Sequence, residues 1–225
     1  MTAENQQSLT RRQKTMVSSL KELLNDSELV SSDDPEEKFI ISGISWQKYE
    51  ALLAKLEDNS HYRVTYLDGI LEIVSPSIRH ENLKKRLAIL IERYLYSRRI
   101  RFSPMGSSTI RKQLKQAGVE PDECYAIGEK KDIPDLAVEV IITSGSIEKL
   151  EIYHRLGVAE IWVWQINRLK IYHLREETPS LFLDTYGYEH ITASELFPEL
   201  NIALLEKCVQ ISDDIQAIDQ FEQGV

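Results

Sequence analysis

The spacing of apolar residues divides this chain into helix-like and strand-like segments from Phe39 onward. In WQKYEALLAKLED, Trp46, Tyr49, Leu52, Leu53 and Leu56 recur at the three- and four-residue spacing of one helix face, with Ser45 placed to cap it. YRVTYLDGILEIV predicts a β-hairpin: two β-rich runs meet at Asp68-Gly69, a pair that tolerates the positive φ angles of a tight turn. Ser75-Pro76-Ser77 then ends the strand and opens a long helix with Leu83, Leu87, Leu90, Ile91, Tyr94 and Leu95 on one side. Shorter β-like pieces follow: IRFSPMG, STIRKQL and ECYAIG. DLAVEVII is almost continuously apolar, the mark of a strand covered on both faces. SIEKLEIYHRLG predicts a helix closed by Gly157, and EIWVWQI with KIYHLR a second hairpin across Asn167-Arg168. Residues 180–225 hold a short strand or loop, the capped segment TASELFP and a tail helix with a polar end. This order predicts an α/β fold, a mixed central sheet flanked by helices.

At 225 residues and 42% hydrophobic, the chain can bury one good core. Residues 1–36 read as a peripheral segment, with TMVSSLKELLN as a short amphipathic helix and SELVSSDDPEEK as an acidic linker. Residues 37–210 read as the domain and 211–225 as a polar C-terminal tail. No apolar stretch is long enough for a membrane span, and the polar N-terminus lacks a secretory core. Cys124 and Cys208 fit no metal or redox spacing, so free thiols and a cytoplasmic location are expected.

The net charge of −9 argues against a general nucleic-acid coat, but it is unevenly spread. Lys84 to Lys115 carries ten Lys/Arg and one acidic residue, which leaves −18 on the rest of the chain. A cationic segment on an acidic body suits a phosphate backbone; a solvated helix face and basic loop is the simpler reading.

Two Pro-Asp pairs carry the candidate chemistry. Pro121-Asp122 opens one strand-like run and Pro134-Asp135 the next, where Glu139 stands among apolar neighbours. An ionised carboxylate leaves water at a high cost unless it is paired or binds a cation. Alternation puts Ala137, Glu139 and Ile141 on one strand face. Asp122 would lie beside Glu139 if the two strands are neighbours, and two such carboxylates with a magnesium ion between them could activate a water. Asp135 shares the face of Glu139 and is a rival ligand. Glu120 and Glu123 read as solvent-facing. Lys149 and Tyr153, four apart on a helix, share a face, and Lys149 could reach back over the strand end. Glu81, beside His80, is a candidate third carboxylate or a simple exposed helical glutamate. The other histidines show no metal spacing. Trp162 and Trp164 alternate on one strand face, for core or dimer packing. No phosphate-binding glycine loop, dinucleotide fingerprint or nucleophile elbow is present.

YLDGILEIVSPSIRHE, GVEPDECY, PDLAVEVI, KLEIYHRLGVAEIWVW and KIYHL, in this order, resemble the Uma-two family of bacterial restriction endonucleases, a branch of the PD-(D/E)XK nuclease superfamily. The resemblance runs from about Phe39 to Leu205. It implies a restriction-endonuclease-like fold and metal-dependent hydrolysis of a phosphodiester, with Mg²⁺, or Mn²⁺ in its place. By resemblance Asp122 is the motif aspartate, Glu139 the second acid and Glu81 the acid of the first core helix. Ile141 stands where the superfamily has lysine, and Lys149 fills the place from which this branch supplies one. Three readings follow. The first is a magnesium-dependent DNA endonuclease using Asp122, Glu139, Lys149, Glu81 and Tyr153. The second is a nuclease-fold protein that binds nucleic acid or a protein partner without cutting. The third is a structural dimer using the Trp162/Trp164 strand. A homodimer is compatible with all three.

Overall fold

The computed structural model describes residues 36–56, 61–142 and 148–225. The expected N-terminal helix and nearly all of the acidic linker lie outside the described residues, as do Ser146 and Ile147.

The elements in chain order are β1 (Glu37–Ile41), α1 (Trp46–Leu56), β2 (Arg63–Leu67), β3 (Ile70–Ser75), α2 (Ile78–Ser97), β4 (Phe102–Pro104), β5 (Ile110–Lys112), β6 (Ala117–Val119), β7 (Glu123–Ile127), β8 (Leu136–Ile141), α3 (Lys149–Leu156), β9 (Glu160–Gln165), β10 (Arg168–Leu174), β11 (Tyr188–Ile191), α4 (Ile202–Val209) and α5 (Asp214–Glu222). This is the expected α/β architecture, that of a restriction-endonuclease-like domain. The strands form two sheets, one with order β1-β3-β2-β6-β5, the other β11-β10-β9-β8-β7-β4. The second sheet is mixed: β8 and β9 run parallel, joined through α3, and the other pairs are antiparallel. The separate first sheet is not visible in local patterning, because it needs β6 and β5 to return to the β2–β3 hairpin from far along the chain.

The six-stranded sheet is covered on both faces, which explains the unbroken apolar run of β8. Leu136, Val138 and Val140 face a core shared with Leu87, Ile91, Leu205 and Phe221, from α2, α4 and α5. Ala137 faces a second core with Ile152, Tyr153 and Leu156 of α3. Trp46 and Tyr49 of α1 pack on Val64, Tyr66, Leu71 and Ile73 of the first sheet. Trp162 and Trp164 are 0% and 2% exposed on β9, which lies between β8 and β10. The proposal of a dimer built on that strand therefore fails: the strand has no free edge and its indoles fill the core. Residues 211–225, expected as a polar tail, include α5, whose Phe221 is fully buried. Cys124 and Cys208 are free and buried. No helix among the described residues is long and apolar enough to cross a membrane.

Local chemistry sets the boundaries. Ser77 caps α2 by accepting from the His80 N–H at 3.1 Å. The first hairpin turns at Asp68-Gly69 as expected, with φ of 46° and 89°. The second turns at Ile166-Asn167, one residue earlier than the sequence suggested, with φ of 51° and 57°. Asn accepts that conformation, but a β-branched Ile does so under strain. A buried carboxylate ties the far end of the second sheet: Glu160 accepts from Trp162 Nε1 at 2.6 Å, Ser194 Oγ at 2.5 Å and the Glu195 N–H at 3.0 Å.

Half of the cationic segment is paired with acids within the fold. Arg86 pairs with Asp214, Arg93 with Glu222, Arg98 with Glu199 and Arg111 with Glu50, while Lys84 pairs with Glu81. Part of the excess positive charge of this stretch is thus matched to the acidic body.

Gly118 on β6 lies against the buried ring of Tyr49, and a Cβ there would sit 2.2 Å from Tyr49 Oη and 2.8 Å from Cζ. Gly118→Ala is expected to destabilise the domain by about 1–3 kcal/mol through overpacking. Urea denaturation checks this; an unchanged midpoint would show that the Tyr49 ring has room to move.

Candidate active site

β7 and β8 pair antiparallel, with Glu123 opposite Val138 and Cys124 opposite Ala137. Asp122 therefore stands at the strand end next to Glu139. The β7–β8 ladder ends at Glu123–Val138, and beyond it the Val140 N–H donates to the side chain of Asp122, at Oδ2, at 2.7 Å. The other Pro-Asp pair does the same job at the opposite end. Asp135 Oδ2 accepts from the Ile127 N–H at 2.7 Å, and both its oxygens meet Lys131 Nζ at 2.6 and 2.8 Å. Asp135 is fully engaged there and does not join Glu139. Glu120 and Glu123 are not solvent-facing as expected. Glu120 accepts from the Val64 N–H and Thr109 Oγ1, pinning β2, and Glu123 is buried.

Glu139 is 2% exposed, and both of its oxygens are taken by α3. Lys149 Nζ donates to Oε2 at 2.6 Å, and Tyr153 Oη donates to Oε1. The four-residue spacing places both groups on one helix face, as the sequence indicated. Lys149 is the first residue of α3, and its side chain is 32% exposed. An ammonium at a helix N-terminus opposes the helix dipole, so this placement depends on the nearby acids.

The electrostatics follow from burial. Burial pushes the Glu139 carboxyl up, Lys149 draws it back, and the charge of Asp122 pushes it up again. Burial opposes the charge of Lys149, but Glu139 and Asp122 outweigh it and hold the ammonium protonated. Burial also opposes ionisation of Asp122, yet the His80 hydrogen bond and charge, with Lys149, keep its carboxyl below the usual range. Tyr153, buried beside Glu139, keeps its proton.

His80 is the residue the sequence undervalued. Its Nε2 lies 3.1 Å from Asp122 Oδ2 and 3.0 Å from the Val140 carbonyl oxygen. Burial lowers its basicity, but hydrogen bonds to Asp122 and Glu81 and the charges of Asp122 and Glu36 win, and the imidazole is pushed up to about 10. The signal was the Ser77 cap, which fixes His80 in the first turn of α2. Glu81 stands beside the cleft rather than in it: it pairs with Lys84 at 2.5 Å and with Arg63 at 3.5 Å, and its buried Oε1 is 3.8 Å from His80 Nδ1. It does not line the cleft that contains Asp122 and Glu139.

That cleft, of about 470 Å³, lies between the two sheets and α3. Lys38, Arg63, Thr65 and Glu72 line it from the first sheet, and Val163, Lys170 and Tyr172 from the second. Asp122 and Glu139 are hard oxygen donors whose charges repel, a pair that a divalent cation would relieve. No group of three or more His, Cys, Asp or Glu that could hold a metal is found among the described residues. Two carboxylates suit magnesium, which keeps several waters and takes its remaining ligands from substrate phosphates.

The His80–Asp122 pair sets a pH dependence. A histidine value raised from 6.5 to about 10 contributes stability that is complete below pH 6.5 and is lost as pH rises through about 10. In chelator, histidine ¹⁵N shifts are expected to show a ring still protonated at about pH 8, and Asp122→Asn to return it toward the ordinary range. Titration of the wild-type ring near 6.5 would mean that the pair does not form.

The family model Uma2, described as "Putative restriction endonuclease", matches residues 46–205. No curated protein matches the chain. The matched span contains the β7–β8 pair, α3 and the cleft floor, with Glu81, Asp122, Glu139, Lys149 and Tyr153. With most of its length matched, the chain belongs to the Uma2 family of restriction-endonuclease-like proteins.

Proposed function

We propose that this protein is a magnesium-dependent DNA endonuclease that hydrolyses phosphodiester bonds at the floor of the cleft. The observation that carries the reading is the meeting of Asp122, Glu139 and Lys149 at the end of the β7–β8 pair, where two buried carboxylates face one ammonium. Asp122 and Glu139 would hold the metal. Bound there, it would supply a Lewis acid for the phosphoryl oxygens and a more acidic water. Mn²⁺ offers the same oxygen-seeking chemistry.

The chain's own groups do the rest. Lys149 is held protonated, so it acts as a charge rather than as a base, and offsets the negative charge that grows on the phosphoryl group as water attacks and the P–O ester bond breaks. Tyr153 fixes one oxygen of Glu139, so that the carboxylate presents a single orientation. His80 and the Val140 N–H hold Asp122 ionised and aimed. Glu81 acts at one remove, through His80 and Lys84.

A second reading, binding of nucleic acid or a protein partner without cutting, is favoured by one observation: both oxygens of Glu139 are already engaged by Lys149 and Tyr153.

Supercoiled plasmid, in which negative supercoiling favours locally opened segments, is expected to be nicked with Mg²⁺ or Mn²⁺, and chelation to stop the reaction. Glu139→Ala and Lys149→Ala should each lose about 100-fold or more in rate, with circular dichroism unchanged. Full activity in pure Glu139→Ala would remove this site. DNA binding with a steep salt dependence, independent of metal and of Lys149 and yielding no product, would establish the second reading.

A further inference from the structure

Building on the nuclease reading, we infer that the cleft takes an unpaired DNA strand, one or two nucleotides deep, and not an intact duplex. Two observations lead there. The first is depth. Asp122 and Glu139 are 4% and 2% exposed, so a scissile phosphate must descend to the floor before it meets them. On a duplex the phosphates lie on the outside of a stiff cylinder whose grooves alone are about 12 and 6 Å wide. The cleft, at about 470 Å³, is sized like a small-molecule site, for which about 300–1,000 Å³ is usual. Duplex recognition uses an open surface of about 1,000–2,500 Å².

The second is the lining. On one wall Lys38 and Arg63 stand on β1 and β2, Arg63 paired with Glu81; on the other, Lys170 and the half-buried ring of Tyr172 stand on β10, and Glu36, Glu72 and Glu148 complete the rim, so that a divalent cation on Asp122 and Glu139 would be needed to leave the cleft cationic. Cations that track a backbone, next to an aromatic face on which a base can stack, are the composition of single-strand grooves. A base released from its partner can reach such a face; a paired base cannot.

The test is fluorescence anisotropy of the full chain with a labelled oligonucleotide, single-stranded or as its blunt duplex, with Ca²⁺ in place of Mg²⁺. The single strand is expected to bind at least about ten-fold tighter. Tyr172→Ala should weaken single-strand binding by about ten-fold, while Tyr172→Phe, which keeps the ring, binds as the wild type does. Equal or tighter duplex binding, no binding of either DNA, no effect of Tyr172→Ala, or an equal loss in both variants would overturn the inference. Cleavage of the same oligonucleotides with Mn²⁺ separates it from the hydrolytic reading. Selective binding without product keeps the inference and removes hydrolysis; duplex cut as fast as single strand does the reverse.

Discussion

The burial of one carboxylate organises this molecule's site. Glu139 lies in one of the two innermost strands of a sheet covered on both faces, where an unpaired charge would cost several kcal/mol. The fold meets that cost from one helix. The first turn of α3 supplies an ammonium and the next turn a phenol, one for each oxygen of the carboxylate. The demand runs both ways, because Lys149 at the positive end of a helix needs Glu139 and Asp122 as much as they need it. A strand interior and a helix start that each break their local rule are reconciled by meeting, which is the usual signature of a functional position.

The two Pro-Asp pairs do one backbone job at opposite ends of the same strand pair. Each aspartate accepts a strand-end N–H at 2.7 Å where the ladder stops. What separates them is their tertiary surroundings. Asp135 meets Lys131 at a half-exposed turn, whereas Asp122 meets His80 and lies beside Glu139 at the cleft floor. The same dipeptide is therefore structural at one end and a candidate ligand at the other.

Charge is handled in the same manner. Four of the arginines between Lys84 and Lys115 balance acids that the fold brings in from α1, α4's approach and α5. Surface pairs of this kind contribute little stability each, but they leave less free positive surface for a polyanion. The cationic groups around the candidate chemistry are instead Lys38, Arg63, Lys149 and Lys170, which come from four separate elements and form no run in the chain.

The sequence by itself determined the local elements: the helical stripes of α1 and α2, the Asp68-Gly69 turn, the doubly covered strand β8 and the anomaly of Glu139 within it. It also placed Lys149 and Tyr153 on one face, because helix geometry fixes the i, i+4 relation without help from the rest of the chain. Only the tertiary structure decided that Asp122 rather than Asp135 joins Glu139, that His80 rather than Glu81 meets Asp122 in the cleft, and that Glu123, Trp162 and Trp164 are buried. It also decided that the strands divide into two sheets with a cleft between them. The physical reason is common to all of these: each depends on which distant strand or helix end arrives beside the residue, and burial and charge pairing act across that gap, not along the chain.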